Sequence, residues 1–354
     1  MSVRAWAPMA ARARLGRASS LLSRPWPDRE ALRRAARTVQ RDLHGHYWTY
    51  DGFVRSLVSP PVAPLATPWS AIVDDPVVGP VTLSGDLAIP EDARDVVIVL
   101  HGMGGAITSR YVVLSARAAH ARGMAVLRLH MRGADHSGTD VYHAGLTDDL
   151  RAAIASPELA RFERIHVIGH SLGGHVALRF AAEGDHDPRL AAVVALCAPV
   201  DLHEGVRAIQ RVDRRPYQFH VLRAVKSCYR EVAARRPMPV PLEEVMAART
   251  VLEWDERVVC PRFGFASALD YYERAGVASM LHRIDVPTLY VGAEADPMIP
   301  EGTVRPALDR ASRAVEAAWV DRGGHLGFPA GTRAKVAEGE TLDDEIAAWL
   351  VDRR

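Results

Sequence analysis

The sequence predicts an α/β fold with a mostly parallel central sheet and helices on both of its faces. Short apolar runs alternate with helical segments over most of the chain, which is the pattern of buried parallel strands joined by crossover helices. The 354 residues are 48% hydrophobic and 25% charged, so the chain can bury a large core. This length favours one large α/β unit with an insertion, or about two domains.

The N-terminal segment 1–66 is predicted to be a basic extension that ends in a proline-rich linker, Ser59–Pro68. One helical stretch is predicted in it, from about Asp28 to Leu43. The segment 1–27 contains arginines and no acidic residue, which leaves a targeting segment open. A cytoplasmic leader without regular structure is the favoured interpretation.

Buried strands are predicted at intervals after this extension, beginning with an antiparallel strand at Val81–Ile89. The strands that follow are Asp95–Leu100, Met124–Leu129, Arg164–Ile168, Ala191–Leu196, Pro287–Val291 and Ala314–Val320. Helices are predicted between them at residues 111–122, 148–156 and 174–183.

About 90 residues separate the strand ending at Leu196 from the one starting at Pro287, far more than a crossover needs. We predict a helical cap at residues 200–285, inserted before the seventh strand between two parts of the body, 67–199 and 286–354. One helical face of the cap carries an apolar stripe that consists of Val221, Val225, Cys228 and Val232. We favour packing of this stripe against the body over a role as the wall of a substrate pocket.

A G-x-S-x-G motif spans Gly169–Gly173, with Ser171 at its centre. The strand 164–168 precedes it and the helix 174–183 follows it, so the serine lies at a strand-to-helix turn. Such a turn raises the hydroxyl above the sheet, and the glycines two residues away on each side leave room for tight packing. Ser171 is therefore the predicted nucleophile.

A serine hydroxyl needs a base to remove its proton, and a carboxylate must orient that base. Among fifteen histidines, His325 lies in a glycine-rich loop directly after the last predicted strand. Asp296 follows the preceding buried strand and is the predicted carboxylate, with Glu294 as the alternative. The order Ser171, Asp296, His325 is that of a serine hydrolase on an open α/β sheet.

A glycine turn after the strand 95–100 is predicted to complete an oxyanion hole. The donors are the backbone N–H groups of Leu172 and of Met103, with Gly104 as the alternative to Met103. Supporting positions are predicted around these donors: His101, Gly102, His170, Tyr142 and His143. Tyr142 and His143 are expected to anchor the loop before a helix that Thr147 or Asp148 caps. This interpretation is favoured over contact with substrate.

Composition excludes several other functions. A net charge of +1 argues against a nucleic-acid binder, and no apolar run is long enough to cross a bilayer. The three cysteines form no C-x-x-C pair, and His166, His170 and His175 do not have the spacing of a metal site. We therefore predict neither a metal nor a cofactor. Contact of the arginine-rich leader or the cap with an anionic membrane surface stays open.

With these motifs in place, the sequence resembles the α/β-hydrolases and, more narrowly, the YheT-like subgroup of predicted esterases and lipases. The resemblance covers roughly residues 70–350. It rests on the G-x-S-x-G motif and on five further segments: Tyr142–Leu150, Phe263–Tyr272, Val286–Leu289, Ala295–Pro300 and Gly323–Phe328. The aromatic, histidine-bearing N-terminal segment typical of the subgroup is not recognised in residues 1–66.

The resemblance implies hydrolysis of carboxylic esters, in small molecules or lipids, with short-chain acyl esters and monoacylglycerols as the expected types. It places the triad on Ser171, Asp296 and His325. Two alternatives stay open: a thioesterase or acyltransferase with the same triad, and a ligand-binding member of the fold without catalysis.

Overall fold

The computed structural model describes residues 29–353 and contains one eight-stranded sheet in the order β1-β2-β4-β3-β5-β6-β7-β8. β1 pairs with β2 and β2 with β4 in antiparallel fashion, whereas all other neighbours are parallel. The strands are β1 (Thr67–Asp75), β2 (Gly79–Ala88), β3 (Asp95–Leu100), β4 (Ala125–Leu129), β5 (Arg164–His170), β6 (Leu190–Leu196), β7 (Thr288–Ala293) and β8 (Val315–Val320).

Helices cover both faces of this sheet, as predicted. All six residues of β3 are buried, and Ile98 faces one apolar core while its neighbours Val97 and Val99 face another. Period-two alternation along a strand with apolar residues on both sides produces two such cores. The helices of the body are α1 (Arg29–Val58), α2 (Arg110–Ala121), α3 (Asp148–Ile154), α4 (Leu172–Glu183), α11 (Glu301–Leu308) and α12 (Leu342–Val351).

Packing divides the chain into two units, residues 1–41 and 42–354. The sheet and the site described below lie in the second unit. In the described residues, no helix combines the length and the apolar character needed to cross a membrane. The segment 1–28, with the predicted leader, lies outside the described part of the chain.

Two local predictions for the region before β2 are wrong. Helix α1 continues to Val58 rather than ending near Leu43, and β1 starts at Thr67, inside the predicted linker. The proline at position 68 is tolerated because β1 is an edge strand. At an edge, a backbone N–H that points away from the sheet makes no hydrogen bond to another strand, so its absence costs little. The predicted domain boundary at residue 66 stays a prediction.

The segment between β6 and β7 is helical, as predicted. Val225 and Val232 of the predicted stripe lie in the core, whereas Val221 also lines a cavity. The segment contains α5 (Leu202–Ile209), α6 (Arg215–Ala233), α7 (Leu242–Met246), α8 (Val251–Trp254), a π-helical turn (Asp255–Val259), α9 (Cys260–Phe263) and α10 (Ala268–Ala275). Its role as a cap stays a prediction.

A buried ion-pair network joins this inserted segment to the body. Asp140, after β4, is fully buried and accepts hydrogen bonds from Arg132 at 3.1 Å and from Arg262 of α9 at 2.9 Å. Arg132 also donates to Asp75 of β1 and to Asp149 of α3. Burial alone would raise the pKa of Asp75, but hydrogen bonds from the backbone and from both arginines hold this pKa well below its usual range.

Asp140→Asn tests this network. The change removes the negative charge that the buried guanidinium groups of Arg132 and Arg262 share. Removing one partner of a buried ion pair lowers the free energy of unfolding by about 3 kcal/mol. Urea unfolding followed by circular dichroism measures the loss. Arg94→Ala, which removes an exposed pair with Glu163, is the control and should change the midpoint little. An Asp140→Asn midpoint equal to that of the unmodified protein would contradict the assignment.

Candidate active site

Ser171 lies at a sharp turn between β5 and α4. Its φ is +51° and its ψ is −117°, a strained conformation for a residue with a side chain. A Cβ atom at position 169 would collide with the carbonyl oxygen of Gly173, and one at position 173 would lie 2.5 Å from the carbonyl oxygen of His101. The two glycines therefore permit the turn, and the N-terminus of α4 lies at the serine.

His325 joins Ser171 to Asp296. Its Nε2 lies 3.0 Å from Ser171 Oγ, and its Nδ1 lies 2.8 Å from Asp296 Oδ2. Because a carboxylate only accepts, Nδ1 carries the proton, and Nε2 is free to accept the serine hydroxyl proton. The structure thus brings together three side chains that lie as far as 154 residues apart in the sequence.

Asp296 is held in place by the turn that follows β7. Its second oxygen, Oδ1, accepts the backbone N–H groups of Met298 at 2.8 Å and Ile299 at 2.9 Å. Its side chain is 1% exposed. The carboxylate is therefore oriented by two backbone donors, and His325 contacts it rather than the alternative, Glu294.

The glycine turn after β3 approaches the serine closely. A Cβ at Gly102 would lie 3.0 Å from Ser171 Cβ. The Gly104 N–H donates to the Tyr142 hydroxyl at 2.7 Å, so this alternative donor is already used. Met103 and Leu172, the two predicted oxyanion donors, line the same cavity as Ser171. Their assignment as donors stays a proposal.

Two of the predicted supporting histidines, His101 and His170, are neutral and form hydrogen bonds with backbone groups near Ser171. His101 Nδ1 donates to the Gly102 carbonyl at 2.7 Å, and its Nε2 accepts the Met131 N–H at 3.0 Å. His170 Nδ1 donates to the Leu100 carbonyl at 3.0 Å. Burial lowers the pKa of both histidines to about 4, so neither is charged at neutral pH.

Tyr142 and His143 make contacts that suit an anchor, but both also line the cavity at Ser171, so the choice between anchor and substrate contact stays a prediction. The Tyr142 hydroxyl accepts the Gly104 N–H, as described, which fixes the glycine turn. The His143 ring packs 4.3 Å from the Phe263 ring between centroids, and burial lowers its pKa to about 3. The predicted capping of α3 by the Thr147 side chain is wrong. Thr147 is the residue at the start of α3, but its hydroxyl donates to Glu183 rather than accepting an N–H group of the helix.

Thr49 is a contact that sequence reasoning missed. Its hydroxyl, on α1, accepts the backbone N–H of His325 at 2.8 Å. The residues around Thr49 include histidines and aromatic residues, although sequence analysis did not recognise a segment of this kind in residues 1–66. They are His44, His46, Tyr47, Trp48 and Tyr50. The available signal was Gly45 and Gly52, spaced seven apart within a helical pattern, which indicates a close approach to other backbone.

One group of metal-ligating side chains occurs among the described residues, and it overlaps the triad. Ligand atoms of Cys197, Asp296 and His325 all lie within 4.8 Å of one another. Burial raises the pKa of the Cys197 thiol well above its usual range, which opposes the thiolate a metal needs. His166, His170 and His175 do not belong to this group.

A cavity of about 1130 Å³ opens onto Ser171 and His325. Apolar side chains of the inserted segment line part of it, including Val221 and Trp254. Asp255 also lines it and is 4% exposed, with the Tyr272 hydroxyl donating to its carboxylate at 2.6 Å. Burial raises the pKa of Asp255 to about 7.

Comparison with known proteins places the fold in a family. Residues 95–331 match the family model described as alpha/beta hydrolase fold. The chain belongs to this family. The "Putative esterase YheT" of Escherichia coli (strain K12) is 29% identical over 264 residues, which cover 72% of this chain and 75% of the relative. The human "Monoacylglycerol lipase ABHD2" is 26% identical over 199 residues, which cover 52% of this chain and 45% of the relative.

Two solved structures are similar to this chain in fold. The 2,6-dihydroxy-pseudo-oxynicotine hydrolase superposes with a TM-score of 0.51 at 20% identity, covering 84% of this chain and 69% of that protein. Est1E from Butyrivibrio proteoclasticus gives a TM-score of 0.50 at 16% identity, covering 80% and 98%. The fold class predicted from the sequence, the resemblance to the YheT-like subgroup and the esterase- or lipase-like class are confirmed by these comparisons.

Asp255→Asn tests the burial of the cavity carboxyl. The pKa of Asp255 rises from 3.8 to about 7 on folding, so the folded state holds a proton that the unfolded state has lost between about pH 4 and 7. Stability therefore falls as pH rises through this window. Asn cannot ionise, so the variant should gain stability relative to the unmodified protein at pH 8 but not at pH 4. Urea unfolding at both pH values measures the gain, and an equal difference at both would contradict the prediction.

Proposed function

We propose that this protein is a serine hydrolase that cleaves carboxylic esters through Ser171, His325 and Asp296. The observation that carries the proposal is the continuous chain of hydrogen bonds from the Ser171 hydroxyl to the Asp296 carboxylate. The serine sits at a strained turn beside a large cavity, where a substrate carbonyl can approach it.

Acylation follows from this geometry. His325 Nε2 accepts the proton of Ser171 Oγ as this oxygen attacks the ester carbonyl carbon, and a tetrahedral oxyanion forms. Asp296 keeps the Nδ1 proton in place and stabilises the imidazolium. His325 then donates the proton to the alcohol oxygen as the carbon–oxygen bond breaks. An acyl-enzyme on Ser171 and a free alcohol result.

Deacylation uses the same groups in reverse. His325 accepts a proton from water, whose oxygen attacks the acyl carbon, and Ser171 leaves with that proton while the carboxylic acid departs. In both steps the oxyanion is stabilised by the backbone N–H groups of Leu172 and Met103. The hydrogen bond from Gly104 to Tyr142 supports Met103 in this role because it fixes the next peptide of the turn.

We further propose a small-molecule or lipid ester as the substrate, of the short-chain acyl or monoacylglycerol type. The cavity volume of about 1130 Å³ exceeds the range of about 300–1,000 Å³ common for small ligands. Val221 and Trp254 make part of its wall apolar, which suits an acyl chain. The names of the relatives as esterase and monoacylglycerol lipase support the same substrate class.

Ser171→Ala removes the nucleophile and should lower kcat by about 10³ to 10⁶ while KM changes little. Hydrolysis of p-nitrophenyl butyrate measures the loss. His166→Gln, which alters a buried histidine of β5 outside the triad, is a comparison for general effects on folding. A Ser171→Ala variant that keeps most of its esterase activity would refute the proposed mechanism.

The substrate class is tested with p-nitrophenyl esters from acetate to palmitate, together with a monoacylglycerol and a thioester analogue. Because the cavity is large and partly apolar, kcat/KM should rise from acetate toward longer acyl chains. If the protein is an esterase, kcat/KM should also be higher for the oxygen ester than for its thioester analogue. Steady-state kinetics on each compound give the profile. A thioester preference would favour the thioesterase alternative, and a maximum at acetate would contradict the use of the cavity for an acyl chain.

A further inference from the structure

One face of helix α1 packs against both loops that carry the acid and the base of the site. Gly45, Thr49 and Gly52 share this face because they are spaced four and three residues apart. The family match begins only at residue 95, so this helix lies outside the region that it covers. The contacts of this face nevertheless reach the residues next to Asp296 and His325.

The contacts are between backbones, and glycines on both sides permit them. A Cβ at Gly45 would collide with the carbonyl oxygen of Ala295, the residue before Asp296. On the other loop, a Cβ at Gly324 would collide with the Gly45 carbonyl oxygen, and one at Gly327 with the carbonyl oxygen of Trp48. Any larger residue at these positions would push the helix and a loop apart.

Thr49 provides a side-chain hydrogen bond from this face to His325. Its Oγ1 accepts the His325 N–H at 2.8 Å and donates to the Gly45 carbonyl at 2.8 Å, which fixes the direction of the hydroxyl. The loop itself turns sharply, with φ of +147° at Gly323 and +57° at Leu326. A loop with such a backbone needs external anchors to hold one conformation.

We propose that Thr49 is a positioning residue, which fixes the backbone of His325 so that its imidazole meets Ser171 and Asp296 together. This inference rests on the proposed function. Thr49 acts through His325 and takes no proton itself. Both hydrogen bonds of the imidazole depend on the place of its Cα, so an unanchored loop lets Nε2 and Nδ1 drift from their partners. A displacement of about 1 Å costs on the order of 10²-fold in rate.

Thr49→Val keeps the branched shape and removes the acceptor, whereas Thr49→Ser keeps the hydroxyl. We expect Thr49→Val to lower kcat by about 10- to 100-fold with KM within about twofold, and Thr49→Ser to restore most of kcat. Hydrolysis of p-nitrophenyl butyrate gives both constants. Thr303→Val is the matched control, because the Thr303 hydroxyl also donates to a nearby backbone carbonyl, that of Pro300 just before α11, at 2.7 Å.

A second readout separates positioning from loss of folding. The Nδ1 proton of His325, which is donated to Asp296, should give a downfield proton NMR signal. We expect this signal to broaden or vanish in Thr49→Val and to persist in Thr49→Ser and Thr303→Val. Wild-type kcat and an unchanged signal in Thr49→Val would overturn the inference. Equal losses of kcat in Thr49→Ser and Thr49→Val, each with a lowered Tm, would also overturn it, because the hydroxyl would then not be the cause.

Failure of this inference is distinguishable from failure of the proposed function. If Ser171→Ala is inactive and Thr49→Val retains full kcat, the hydrolase proposal stands and the positioning role is refuted. If Ser171→Ala retains activity, both are refuted, because Thr49 would then position a histidine that does not act on Ser171.

Discussion

The His325 imidazole makes two hydrogen bonds at once, and the geometry of the site follows from the need to satisfy both. Nδ1 must face Asp296 while Nε2 faces Ser171, and these partners follow β7 and β5, two strands that are not adjacent. Only β6 lies between them, so the carboxyl ends of the parallel strands bring all three loops to one edge of the sheet. The sheet order is therefore what makes the imidazole contacts geometrically attainable.

Holding this edge together requires strain and close packing in the surrounding backbone. Ser171 has a positive φ, and the turn depends on glycines at 169 and 173 that no larger residue could replace without a clash. The buried pair of Asp140 and Arg262 connects the inserted helices to the body beside this edge. Strain at the site is thus offset by contacts elsewhere in the fold.

Local patterns predicted the parts of the fold that depend on neighbours in sequence. The buried strands and the serine turn follow from apolar runs and from glycines within two residues of Ser171. The length of α1 and the strand β1 could not be predicted, because Gly45 and Pro68 are tolerated only in their tertiary context. Thr49 contacts a residue 276 positions away. The spacing of Gly45 and Gly52 indicates that other backbone approaches this helix, but it does not identify His325 as the partner.

Activation of Ser171 by His325 is measured by the rate at which a fluorophosphonate labels the protein, with the modified residue identified by mass spectrometry. We expect labelling at Ser171 that is rapid in the unmodified protein and slower by at least about 10²-fold in His325→Ala, since the imidazole activates the hydroxyl. Labelling at another residue, no labelling of the intact protein, or an unchanged rate in His325→Ala would contradict this activation.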